Sequence, residues 1–108
     1  MLNDPQLTEA ARFVAQRMLT EGGQTLDQRI TWTFKLITGR PPSERELPVL
    51  TQLFNEQHDL FTKDSEGATK LLSVGDSRND DRLDRTDLAA GTVLAIALFN
   101  HDAAVMRR

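Results

Sequence analysis

The chain has 108 residues, 27% of them charged, and a formal net charge of −3. It contains no cysteine, which excludes a disulfide, a thiol nucleophile, a Cys-ligated zinc and a covalently held c-type haem within these residues. The length suits one hydrophobic core. A weakly acidic surface is a poor match for a phosphate backbone, so no nucleic-acid partner is expected.

The first helix is predicted from Asn3 or Asp4 as cap, with Pro5 in its first turn. Leu7, Ala11, Val14 and Met18 recur at helical spacing as its inner face, with Ala10 and Phe13 widening it, and Gly22-Gly23 ends it. The second helix opens with a capping box, Thr25 to Gln28, in which each side chain satisfies the other's backbone N–H. Leu26, Ile30, Phe34 and Ile37 share one face, and Trp32 and Leu36 lie on an adjoining one. Together they span an apolar arc of about 200°, at 100° per residue, so neighbours are expected on two sides. Gly39 suits a left-handed stop, and Arg40-Pro41-Pro42 forces an extended turn. A polyproline ligand is the alternative reading of that tripeptide, but the stop and start signals on either side favour an interhelical turn.

Ser43 and Glu46 form a second capping box. It starts a third helix, about 44–63, whose apolar positions are Leu47, Leu50, Phe54 and Phe61, with Leu53 and Leu60 beside them and Pro48 near its first turn. A short fourth helix, about 66–74, is expected after a cap at Asp64 or Ser65. The stretch from Gly75 to Leu83 is almost free of apolar residues and reads as a solvated loop. The fifth helix is expected to run from a cap at Asp84 or Thr86 to about Asn100. It is apolar on every side, so it should be buried by its neighbours. Its apolar run from Leu88 to Phe99 is shorter than the roughly 20 residues of a membrane span, and no signal-peptide pattern opens the chain. No strand alternation appears. Residues 1–108 are therefore read as one all-α domain, a compact bundle of four to five helices, with orthogonal and up-down packing both open and with the second and fifth helices the most buried.

Chemistry is hard to place on this chain. Asp76, Asp80, Asp81, Asp84 and Asp87 do not follow the calcium-loop pattern in any register, and Arg78, Arg82 and Arg85 are interleaved among them. His58 and His101 are far apart and lack a second ligand at helical spacing, so they read as half-buried or helix-end histidines. His58 beside Asp59 is no catalytic pair, because adjacent helical residues point in different directions. The short turn between the second and third helices invites a helix-turn-helix reading, but the third carries Glu44, Glu46, Glu56 and Asp59 against Arg45 and Lys63, too acidic for a recognition helix. No catalytic, cofactor-binding or metal-ligating residue is expected. The residues to watch are Trp32, which marks a docking surface if it is exposed, and Arg29 and Arg40, which either bond helix ends and carboxylates such as Glu46 or face another domain.

Arg29, Phe34, Gly39, Arg40, Pro42, Ser43 and Glu46 spell R-x4-F-x4-G-R-x-P-S-x2-E. Upstream stand Leu2-Asn3-Asp4-Pro5, then Ala11, Arg12, Ala15 and Arg17, and near the end stand Leu98-Phe99-Asn100 and Asp102. This order and spacing resembles the C-terminal region of a planctomycete, cytochrome-associated family numbered 1553 among domains of unknown function. Ala103 and Ala104 depart from the acidic and aromatic residues usual at that end of the family, which bears on any C-terminal docking role. The resemblance implies a fragment of a large exported protein, located in the periplasm or on the cell surface. Its partners would be the other domains of the parent chain, where a c-type haem would sit. The function it implies is a non-catalytic structural or interaction module of an uncharacterised protein. The alternatives are a helical part completing an active site made elsewhere, redox or polysaccharide-related, and a free-standing cytoplasmic adaptor.

Overall fold

A computed structural model of the chain describes residues 5–73 and 83–106, with side chains up to residue 100. The helices are α1 Pro5–Glu21, α2 Leu26–Thr38, α3 Glu46–Lys63, α4 Ser65–Leu72 and α5 Arg85–Met106. The expected caps at Asn3 and Asp4, the aspartates Asp76, Asp80 and Asp81, and the side chain of His101 lie outside the described residues. The described chain is all-α, as its patterning predicts, and the Cα radius of gyration of 13.0 Å equals the ~13 Å of a folded chain this long.

The local signals fix the ends of the elements. The Thr25 hydroxyl accepts from the Gln28 N–H at 3.2 Å, and the Gln28 side chain accepts from the Thr25 N–H at 3.3 Å. Gly39 has φ 84° and ψ 2°, and its N–H donates to the Lys35 carbonyl. A Cβ at Gly39 would meet nothing within 4 Å, so the glycine is there for its left-handed backbone and not for space. Ser43 and Glu46 form their reciprocal box at 3.1 and 2.8 Å. Pro48 is the third residue of α3, so the N–H it lacks falls in the first turn. Asp64 caps α4 by accepting from the Gly67 N–H at 2.9 Å, and Asp84 caps α5 by accepting from the Asp87 N–H at 3.0 Å. α5 runs past the expected stop at Asn100 to Met106.

α5 is the axis of the molecule. All four other helices touch it, α1 and α3 most extensively. Leu88, Ala89, Ala90, Leu94, Ala95, Ile96 and Leu98 are buried along its length. The other element so engaged is α1, which buries Thr8, Ala11, Arg12, Ala15 and Met18, and not α2, which buries only Ile30, Thr33 and Phe34. In α1, Ala11 and Met18 are buried as expected, with Leu7 and Val14 packed against the core, but the face widens on the other side. Phe13 and Ala10 are exposed, and Ala15 and Arg12 are fully buried in their place. The cause is close approach: Ala15 and Met18 pack directly over Gly91, where a Cβ would lie 3.2 Å from the Ala15 Cβ and 2.8 Å from the Met18 Cε. At that contact α1 presents the small Ala15 side chain and the flexible end of Met18 to Gly91, while Phe13 lies on the exposed side. The buried Arg12 guanidinium donates to the Leu72 carbonyl at 2.8 Å, joining α1 to the last turn of α4, and comes within 3.6 Å of the Glu9 carboxylate.

Candidate interaction surface

The α2–α3 corner is built from residues that satisfy one another. Past Gly39 the chain turns back, and Arg40 lays its guanidinium 4.9 Å from the centre of the Phe34 ring. It then forks onto Glu46, with Nη1 and Nη2 donating to the two carboxylate oxygens at 2.9 and 3.0 Å. Such bidentate, charge-assisted pairs fix geometry as well as supplying energy. Those two bonds, with the Ser43 N–H next in weight, hold the Glu46 carboxyl down at about 2, against an ordinary 4.5. The same bond to Glu46 raises the Arg40 guanidinium above its usual value. Arg40 is thus occupied within the corner, although its side chain is 53% exposed.

Arg29 is occupied at the other end of α2. Its Nε donates to the Gly23 carbonyl at 3.1 Å and its Nη2 reaches the Leu19 carbonyl at 3.5 Å. Leu19 lies in the last turn of α1, where carbonyls have no partner within the helix, so Arg29 closes the C-terminal end of α1 from α2. Trp32 is half-buried against the Met18–Ile30–Phe34–Leu94 core. Its outer face carries the Arg17 guanidinium at 5.3 Å from the ring, and Arg17 itself pairs with Glu21 at 3.2 Å. Trp32 also lines an open depression of about 630 Å³ with Asp27, Thr31, Lys35 and the exposed Leu36. The three residues marked from the sequence therefore do not form one patch. Arg29 and Arg40 sit at opposite ends of α2, each bonded within the fold, and Trp32 lies between them on the outer face.

A second surface had no clear signal in the sequence. Between α3 and α5 a groove of about 330 Å³ is lined by Phe34, Val49, Leu50, Leu53, Ala97 and Leu98, with Arg45 and Glu46 also lining it. Val49, at 65% exposure, is the most exposed large apolar side chain described. Glu46, held by its fork to Arg40, stands at the edge of this groove. Spacing alone does not mark Val49, because it lies off the Leu50–Phe54–Phe61 stripe that packs inward.

On the opposite stretch of α3, His58 stacks on Phe54 with ring centres 6.1 Å apart. Its Nε2 lies 2.9 Å from the Asp87 Oδ1 in the first turn of α5. That pairing joins α3 to the start of α5 across α4, and no local motif announces it. Asp59, the sequence neighbour of His58, is exposed and takes no part.

No helix is long and apolar enough to cross a membrane, among the residues described. No curated protein and no solved structure matches the chain. A family model described as "Protein of unknown function (DUF1553)" matches residues 1–54, which hold the Asn3-Asp4-Pro5 segment, the Arg29–Gly39–Arg40 motif and the Ser43–Glu46 box, and the chain belongs to that family.

Proposed function

We propose that the chain is a non-catalytic helical module of a larger exported protein of the planctomycete type, acting as its C-terminal part. Its task is to pack against, and so position, the other domains of the parent. The observation that carries this reading is the α3–α5 groove, an apolar, open surface with Val49 presented to solvent. Apolar surface of this kind costs free energy unless something covers it. The polar groups point the same way. An active site is expected to gather strongly shifted titratable groups in one concavity. Glu46 is held well below its ordinary value, and its corner bonds with Arg40 and Ser43 account for that shift as part of the fold. A c-type haem, if the parent has one, belongs to another segment, and the extracytoplasmic placement is likewise a property proposed for the parent.

The test is a photo-crosslinker attached at Val49→Cys in the protein produced from the complete gene. Crosslinks from that position to peptides outside residues 1–108 are expected, together with slower amide exchange in α3 than in the 108-residue chain alone. Crosslinks confined to residues 1–108, with equal exchange in the two proteins, would overturn the proposal. A gene encoding nothing beyond these residues would do the same.

A further inference from the structure

We infer that His58, Asp84 and Asp87 form a site for one divalent transition-metal ion of the zinc type at the α3–α5 junction. One ligand atom from each of the three lies within 4.8 Å of those of the other two. The residues come from two elements that the fold, and not the sequence, brings together. An imidazole with two carboxylates is a borderline nitrogen-and-oxygen donor set, suited to zinc or cobalt and too poor in oxygens for calcium or magnesium.

Two of the three ligands, His58 and Asp84, are oriented by contacts other than the ion. The imidazole rides on the Phe54 ring, which aims its Nε2 at α5. The Asp84 carboxylate is held by its capping bond from the Asp87 N–H to Oδ2, leaving Oδ1 to the site. Arg85, the cation between the two aspartates in sequence, turns away and donates to the Thr69 hydroxyl on α4 at 3.2 Å. The electropositive end of α5 works against a cation, but two full carboxylate charges outweigh its partial one. His58 and Asp87 are only partly buried and Asp84 is exposed, so an ion has an entrance.

Binding requires modest closure. Donor atoms around a four-coordinate zinc stand about 3.4 Å apart, from Zn–N and Zn–O distances of about 2.0–2.1 Å. The trio must therefore draw in by roughly 1 Å, which exposed Asp84 can do by rotating about its side-chain torsions. The present 2.9 Å contact between His58 and Asp87 would open, with the imidazole proton on Nδ1 and the Nε2 lone pair on the metal. One coordination position would remain for water.

The experiment is calorimetric titration of the metal-free chain with zinc chloride, repeated with cobalt(II) while recording its visible d–d bands. One ion per chain and a tetrahedral cobalt spectrum are expected. His58→Gln and Asp87→Asn should each weaken zinc binding at least tenfold, with helix content by circular dichroism unchanged. His101→Ala and Glu44→Gln should leave it as it was. Absence of saturable binding would overturn the inference. So would binding that survives His58→Gln, or that is lost with His101→Ala.

Discussion

Glu46 is held by three donors at once, two from Arg40 and one from the Ser43 N–H, and this sets how the fold answers acid. Its folded-state carboxyl titrates at about 2, below the ordinary 4.5. A depressed carboxylate contributes stability that is fully present above its unfolded value and is lost as pH falls toward its folded one. The contribution is therefore complete above about pH 4.5 and disappears between there and about pH 2. Glu46→Gln keeps the capping geometry but removes the charge. It should melt below the parent protein at pH 6, and the gap should narrow steadily as both are melted down to pH 2. A gap that stays constant with pH would show that the fork to Arg40 adds nothing electrostatic. Thr25→Ala, which deletes the other reciprocal cap, should cost about 1 kcal/mol by urea denaturation; an unchanged midpoint would mean that the α2 start is held by packing alone. These two corners were legible in the sequence because every participant lies within seven residues. The bonding of Arg29 to a helix end was legible in kind, but its Leu19 partner and the His58–Asp87 pair were not, because those are set by how helices come to rest on one another.

At the scale of elements, hydrophobic spacing predicts which stretches are helical and says less about which face is pressed hardest. The α1–α5 contact includes Ala11, Ala15, Gly91 and Ala95, residues with little apolar area of their own. Their value is that two backbones approach closely and dispersion contacts accumulate along both. A reading that weights large side chains puts Phe13 inside, and the fold leaves it 44% exposed. The same closeness makes Gly91 the sensitive position of α5. A single Cβ there meets the Ala15 Cβ at 3.2 Å, and Met18 can yield only at its flexible end. Gly91→Val adds two methyls beyond that Cβ and forces the helices apart. Overpacking of this kind costs about 1–3 kcal/mol, beyond what the better helix propensity returns. Urea denaturation of the variant measures it; a midpoint equal to or above the parent's would show that α1 shifts without loss.

At the scale of the whole molecule, the family match and the physical unit do not coincide. The match ends at residue 54, inside α3. The matched half carries α1, α2 and the start of α3, but the surface that buries them belongs to α5. Met18, Ile30, Phe34 and Phe54 share one cluster with Ala90, Leu94 and Leu98, and Ala11 shares another with Ala95 and Ile96. Without α5 these side chains would face water, and helices of 17, 13 and 18 residues are marginal or nearly so on their own propensity. Residues 1–63 alone should therefore give a coil-like far-ultraviolet spectrum with no cooperative melt. Adding a peptide covering residues 64–108 should restore helix content and a single transition, because the missing element contributes one continuous buried face and not scattered contacts. A cooperative melt of residues 1–63 by themselves would place the folding unit in the family-matched half. In that case α5 would be an addition to a domain already complete, and the α3–α5 groove would belong to a joint between two units.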